Sequence, residues 1–413
     1  MKNLETLINE LCPDGVEFVK LSQHCEIYDG THQTPKYQES GIPFISVENI
    51  KSIYGSKKYI SQEAYDAYKI KPQVGDVFMT RIGSIGACAV FTQKADIAYY
   101  VSLALLRPNS KVLNSGFLKY IIESSWGKKE LRKRTLVNAV PIKVNKQDIG
   151  KIEIPLPPIE VQTEIVRILD KFTELEAELE AELDCRKRQY EFYRDKLLSF
   201  ENVGGQNVEW KKMSEVIYSI NTGLNPRRFF RLNTIDAHNY YVTIKEMKNG
   251  NIVFNDDTDM INDDALKLCN NRSHLEKGDL IFSGTGTIGQ IVVLKETPTN
   301  WNIKEGLYSL KPIKEKIDSK YMAYILNETS IRKTYMKKAL GGTVKSVPMK
   351  VLTNIKIPIP PLAEQERIVS ILDRFESLTT SLTEGLPAEI AARRLQYEHY
   401  RDKLLTFKRK ITA

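Results

Sequence analysis

The chain has 413 residues, 42% of them hydrophobic and 27% charged, and a formal net charge of +8. That is an ordinary globular composition, with material for two or three domains with real cores. Its five scattered cysteines, with no CxxC pair, argue against a disulfide framework or a zinc site and point to a reducing cytoplasm; no stretch approaches a membrane span and the N-terminus lacks a signal peptide's apolar core.

In chain order, residues 1–158 predict a globular segment of mixed α+β type. Phe44-Ile45-Ser46-Val47 reads as a strand, Gly75-Asp76-Val77-Phe78 as a turn into another, and a helix falls near 116–136. Ile154-Pro155-Leu156-Pro157-Pro158 then stops the unit, because these prolines cannot sit inside a helix. Residues 159–200 predict one long helix. Its apolar residues fall at Ile165, Ile168, Phe172, Leu175 and Leu179, then at Tyr190, Tyr193, Leu197 and Phe200, a heptad seam at each end around a Leu-Glu-Ala-Glu tandem.

The whole arrangement then returns. Residues 201–361 predict a second globular segment, in which Tyr241-Val242-Thr243-Ile244 and Gly278-Asp279-Leu280-Ile281 match the earlier strands. Ile357-Pro358-Ile359-Pro360-Pro361 is the second stop. Residues 362–413 are the second long helix, with a seam of Ile368, Ile371, Phe375, Leu378 and Leu382, then Tyr397, Tyr400, Leu404 and Phe407. Gly385 and Pro387 break it, with Pro387 in the first turn of a new helix. Gln189-Tyr190-Glu191-Phe192-Tyr193-Arg194-Asp195-Lys196-Leu197-Leu198 comes back as Gln396-Tyr397-Glu398-His399-Tyr400-Arg401-Asp402-Lys403-Leu404-Leu405. A period this long excludes a short-repeat solenoid. The fold expected is α+β, with two tandem mixed α/β domains joined by two long helices in an antiparallel coiled coil about a pseudo-twofold axis. A parallel homodimeric coil through each helix is the rival.

The charge is unevenly placed. Residues 1–158 sum to +5 and 201–361 to +6, whereas the two helical segments together sum to −3. Two basic globular halves fit a polyanion partner, against the plainer view that excess lysine aids solubility.

Further motifs join the repeat: Cys12-Pro13-Asp14-Gly15-Val16-Glu17-Phe18, Asp29-Gly30-Thr31-His32-Gln33-Thr34-Pro35-Lys36-Tyr37, Gly75-Asp76 through Arg81-Ile82-Gly83-Ser84-Ile85-Gly86, and Glu364-Gln365. With both proline stops and both helix-end motifs, they make a chain that resembles the DNA-specificity subunit of type I restriction–modification enzymes. The resemblance covers essentially the whole chain. It implies two target-recognition domains, each reading half of a split double-stranded DNA target, with the helices setting the gap. It also implies docking of two methyltransferase (modification) subunits and of restriction (nuclease–translocase) subunits. S-adenosylmethionine, ATP and magnesium are expected on those partners only, so no cofactor is expected here. Two departures stand out: Glu160-Val161-Gln162 replaces the usual Glu-Gln after the first stop, which is expected to alter a helix start, and the second copy lacks the Thr-His of the first loop.

Several residues are candidates for DNA contact. Lys128, Lys129, Lys133 and Arg134 align with Arg332, Lys333, Lys337 and Lys338, and such cations suit phosphate contacts; an ordinary solvated helix face is the alternative. Thr31, His32, Gln33, Thr34 and Lys36 form a polar loop whose counterpart carries Asn225, Arg227, Arg228 and Arg231. Arg81 and Ser84 follow a strand, opposite Ser283, Thr285 and Thr287. Arginine on guanine is the commonest specific contact, which makes Arg81 and Arg227 the preferred readers.

Catalytic signals are weak. Gly284-Thr285-Gly286-Thr287-Ile288-Gly289 fits the dinucleotide pattern, but Gln290-Ile291-Val292-Val293-Leu294 behind it reads as a strand where a helix is required. The five histidines lack metal-ligand spacing, and there is no Asn-Pro-Pro-aromatic motif for base methylation. No catalysis by the chain itself is expected. A coiled-coil scaffold for two proteins leaves the basic halves unexplained, and a nucleotide-dependent enzyme rests on one poor motif.

Overall fold

The structure is a computed structural model that describes residues 4–200, 208–380 and 385–410; the side chains of Arg227, Thr379 and Thr380, and residues 381–384 in the second helical segment, lie outside the description. The chain divides into two compact units, residues 1–179 with 390–413, and residues 180–389. Each unit therefore holds one globular copy and stretches of both long helical segments.

In the first unit a four-stranded antiparallel sheet runs in the order Cys25–Asp29, Leu103–Pro108, Val77–Thr80, Cys88–Val90. Its central strands are apolar on both faces because both faces are covered. Val77, Met79, Ala104 and Leu106 point into a core with the helices, while Phe78, Leu103 and Leu105 point into a second core. That second core also takes Ile45 and Tyr99 from a three-stranded sheet ordered Tyr59–Ile60, Ile42–Ile45, Ala98–Tyr99, the last pair parallel. The helices Ser115–Glu123 and Ser125–Arg134 follow, the first burying Phe117, Leu118, Tyr120, Ile121 and Ile122.

The second unit repeats this order. Its four-stranded sheet is Ile217–Thr222, Leu307–Pro312, Leu280–Ser283, Ile291–Val293, and its three-stranded sheet is Met260–Ile261, Asn239–Val242, Trp301–Ile303. The helices Ser319–Asn327 and Thr329–Lys337 take the late positions. It adds a short hairpin, Met247–Lys248 with Asn251–Ile252, and a longer helix, Asp263–Ser273.

The proline stops are edge strands. Glu153–Leu156 pairs antiparallel with Glu17–Lys20, and Lys356–Ile359 with Glu209–Lys212. Such two-stranded ribbons tolerate proline because an edge N–H need not be paired.

The first long helix, Ile159–Ser199, is unbroken over 41 residues. The second is interrupted as expected: Leu362–Thr380 is followed by Leu386–Leu404, with Gly385 at a φ of 79° and Pro387 as the second residue of the new helix. Gln162 corrects the expectation of an altered helix start. It is fully buried, accepts the Asn114 N–H at 2.8 Å, and donates to the carbonyls of Val112 and Pro157. Gln365 does the same to Asp318, Lys316 and Pro360. The residues before it differ, Glu160-Val161 against Ala363-Glu364, and the glutamine is kept. Val161, Ile165 and Leu169, one face at i, i+4 and i+8, are buried in the globular core, as are Ile368 and Leu372 in the other unit. The heptad seam is thus partly corrected: Leu175 and Leu378 are 50% and 56% exposed, because the buried stripe faces the globular body and leaves them outside it.

Within each unit the helical segments pair antiparallel. In the first, Phe172 stacks on Tyr400 with centroids 5.6 Å apart, and Glu176 meets Arg394. In the second, Tyr193 stacks on Phe375 at 5.8 Å. The first unit is closed by the far end of the chain: Leu405 is buried in its core, and Val16 exchanges backbone hydrogen bonds with Lys408 and Lys410 at 2.9 Å. Burying one such leucine contributes about 1.5–3 kcal/mol.

Candidate nucleic-acid interface

The repeated helix-end motif has a specific task. Asp402 accepts the Ser125 N–H at 3.0 Å, and also its hydroxyl, at the start of helix Ser125–Arg134. Arg401, buried, pairs with Asp402 at 3.0 Å and lies over the Tyr397 ring. In the second unit Asp195 accepts the Thr329 N–H at 3.3 Å, while Arg194 bonds both Asp195 and the Thr329 hydroxyl and lies over Tyr190. A carboxylate here satisfies an orphan N–H and complements the helix dipole. Burial alone would raise the Asp402 carboxyl; the bonds from Ser125 and the charge of Arg401 outweigh it and hold it below its ordinary value.

The helix held in this way is the basic one. Lys128, Lys129 and Lys133 are exposed, and so is Arg132, which the sequence comparison missed because its counterpart, Met336, is uncharged. Arg134 does not belong with them. It is half-buried, bonds Glu130 through both the carboxylate and the carbonyl at 2.8 Å, and reaches the Lys151 carbonyl. Glu130 is buried and also takes Lys133 at 2.6 Å. In the second unit Arg332, Lys333, Lys337 and Lys338 are all exposed, and among the described residues none meets a carboxylate.

One loop lies against each basic helix, and a second loop is joined to the first. Residues 81–86 abut the helix so closely that a Cβ on Gly86 would sit 2.6 Å from Leu131. Ser84 is exposed, but Arg81 corrects its expected role. It is 7% exposed, pairs with Asp29, and donates from Nε to the Val144 carbonyl at 3.2 Å. A guanidinium committed in this way holds loops together and cannot present its fork to a base. In the second unit the same carbonyl position, Val347, is satisfied by the Tyr308 hydroxyl at 2.9 Å. The Tyr308 ring occupies the space beside Gly284, where a Cβ would meet ring atoms at 2.2–2.8 Å. That contact explains the glycine of the apparent dinucleotide motif. Ile291–Val293 is indeed a strand, antiparallel to Leu280–Ser283, so the motif is a hairpin turn. Ser283 is buried and bonds the Thr287 carbonyl, Thr285 meets the Ser346 hydroxyl at 3.0 Å, and Thr287 is exposed.

The second loop in the first unit keeps Thr31 tied to Tyr99 and Val101 through backbone bonds of 3.1 and 2.9 Å. Gly30 permits that approach, since a Cβ would lie 2.5 Å from the carbonyls of Tyr99 and Tyr100. His32, Gln33, Thr34 and Lys36 are exposed. Its counterpart holds Asn225, bonded to Glu305 at 2.8 Å, and a single helical turn Pro226–Phe229; Arg228 and Arg231 are exposed, and the Arg227 side chain lies outside the described residues. The Asp29–Arg81 pair joins the two loops in the first unit, and Gly306, packed on Thr285, does so in the second. The structure thus gathers the three groups of candidates in each unit. Among the described residues no cluster of metal-ligating side chains occurs, and no helix is long and apolar enough to cross a membrane.

Residues 13–184 and 207–392 each match the type I restriction modification DNA specificity domain. The chain belongs to this family. It is 36% identical over 273 residues to the type I restriction enzyme EcoR124I/EcoR124II specificity subunit of Escherichia coli, covering 64% of this chain and 65%, just under two thirds, of that one. To a protein of Haemophilus influenzae assigned as a type I restriction enzyme specificity subunit it is 34% identical over 304 residues, 68% of this chain and 74% of the other. A chain from a structure of a type I restriction–modification system shares its fold, with a TM-score of 0.65 at 17% identity over 95% of this chain and 97% of that one.

Proposed function

We propose that this specificity-family chain is the DNA-reading subunit of a type I restriction–modification complex, each unit binding one half of a bipartite duplex target. The observation that carries the reading is the recurrence, in both units, of an exposed basic helix against one polar loop to which a second polar loop is joined. Cations on a helix position a phosphate backbone, and loop side chains reach base edges. The chain itself performs no chemistry in this reading. Two modification subunits supply methyl transfer with S-adenosylmethionine, and restriction subunits supply ATP- and magnesium-dependent cleavage, all in the cytoplasm. The 41-residue helix serves as the ruler between half-sites.

The test is to map methylated bases in cells expressing the chain with its modification partner. A bipartite target is expected. Adding a second Leu-Glu-Ala-Glu copy after Glu182 lengthens the helix by about 6 Å. It should keep both half-sites and widen the gap by about one or two base pairs, at about 3.4 Å of rise per base pair. An unchanged gap with full activity removes the ruler; methylation without a bipartite target removes the reading.

A further inference from the structure

Each unit displays, in the same topological place, an apolar hairpin that its own core does not use. In the first unit it follows the basic helix and is closed by the Leu136 N–H on the Lys143 carbonyl at 2.8 Å. Leu136, Val137, Val140 and Ile142 are 44%, 63%, 101% and 40% exposed. Its stem is sewn to the loop at 81–86: the Gly83 N–H donates to Ile142 at 2.9 Å and the Val144 N–H to Arg81 at 3.0 Å. In the second unit Leu340 and Ser346 exchange bonds of 2.8 and 2.7 Å, Gly286 donates to Lys345, and Val347 to Gly284. Leu340 and Val344 there are 64% and 60% exposed.

One exposed valine is ordinary, but a cluster repeated at one position of a duplicated fold marks a contact surface. The surrounding charge says what covers it. From Leu131 to Lys143 the chain carries Arg132, Lys133, Arg134 and Lys143 and no carboxylate; from Tyr335 to Lys345 it carries Lys337, Lys338 and Lys345 and again none. Glu130, buried at the foot of the first hairpin, takes up Lys133 and Arg134, which leaves Arg132 and Lys143 as that rim's uncommitted cations. Apolar tips within such a cationic rim complement a surface that is anionic at its edges and apolar at points within. The major groove is such a surface. It lies between two phosphate rows, admits a two-stranded ribbon, and displays the C5-methyl group of thymine.

We infer that the hairpins at 136–143 and 340–346 are reading fingers that touch thymine methyl groups in the major groove, each in its own half-site. This rests on the DNA-reading function proposed above. The first finger offers four apolar side chains and the second only two around Gly341-Gly342, so the two halves present different surfaces to the bases.

The experiment uses the full chain assembled with its modification subunit and duplexes carrying the mapped target. Thymines are replaced by uracil one at a time, which removes only the methyl group. At a contacted thymine the affinity should fall about fourfold, the value of one buried methyl-sized group. The variant Val137→Ala/Val140→Ala/Ile142→Ala should bind thymine and uracil equally in the first half-site and keep the wild-type ratios in the second. Leu340→Ala/Val344→Ala should do the converse. Uracil at every thymine with unchanged wild-type affinity would overturn the inference without any variant. So would a triple variant that keeps the wild-type thymine preference in its own half-site. A wild-type complex that does not distinguish the mapped target from a scrambled duplex would instead remove the underlying function.

Discussion

Position 81 in the first unit and position 284 in the second occupy the same corner of the same sheet, yet one is a buried arginine and the other a glycine. The partner strand compensates. Ala104 stands where the second unit has Tyr308, and the carbonyl that Arg81 satisfies in one unit is satisfied by the Tyr308 hydroxyl in the other. The hairpin stem is thus secured in both units with unrelated chemistry. A similar exchange occurs at the base of that strand. Asp76 takes two bonds from Arg107, at 2.9 and 2.7 Å, whereas Asp279 has Lys311 at 3.8 Å, and burial raises its carboxyl above the usual range. What is kept between the units is the frame and its backbone bonds; the side chains that brace it vary in compensating pairs.

That comparison is most sharply broken at Gly284. Gly284→Ala drives a Cβ into the Tyr308 ring and should cost about 3 kcal/mol, at the upper end for overpacking, in urea unfolding. Recognition of the second half-site should fall with it. If the arrangements are interchangeable, Gly284→Arg combined with Tyr308→Ala and with Thr222→Asp, at the position where Asp29 pairs with Arg81, should recover much of the loss.

A smaller effect is expected at Arg81. Arg81→Ala strands Asp29 and the Val144 carbonyl, and since Asp29 keeps partial access to solvent the cost should be about 2 kcal/mol, below that of a fully buried pair. The half-site that remains recognisable should keep its sequence. A changed base preference with undiminished stability would return Arg81 to the role of a reader.

The helix caps come next. Asp402→Asn should cost about 1 kcal/mol and weaken only the first half-site, and Asp195→Asn only the second. Asp402 has its folded pKa depressed, so its charge stabilises the fold above the unfolded carboxylate value and that contribution is lost as pH falls through the folded pKa. Acid unfolding of Asp402→Asn should therefore lack part of the wild-type loss. Equal acid sensitivity in both proteins would remove the cap's electrostatic share.

Much of this was legible before any coordinates. The repeat, the strands at Phe44 and Tyr241, the proline stops and the break at Gly385 follow from patterns of period and of forbidden geometry, which are local. The roles of Arg81 and Arg134 were not legible, because an arginine's sequence neighbourhood does not say whether a buried carbonyl lies within its reach. The Arg-Asp motif was visible as a duplicate, but its partner is distant: 402 meets 125, and 195 meets 329. The apolar hairpins were not legible because nothing in the sequence around Leu136, Val137 and Val140 says whether these side chains are buried or, as in the fold, exposed.

The smallest expected effect concerns salt. Each phosphate contact contributes about 0.9 to the slope of log affinity against log salt. In the second unit Arg332, Lys333, Lys337 and Lys338 are exposed without a carboxylate partner among the described residues, so changing all four to alanine should remove about that much for each. In the first unit Arg134 is spent on Glu130 and Lys151, and Lys133 shares Glu130, so only Lys128 and Lys129 are wholly available from the corresponding four. The same fourfold substitution there should flatten the slope by roughly half as much while costing stability, since Glu130 would be left buried without its cations. Equal flattening in the two units would mean that DNA draws Lys133 and Arg134 away from Glu130. The difference between the two basic helices would then exist only in the free protein.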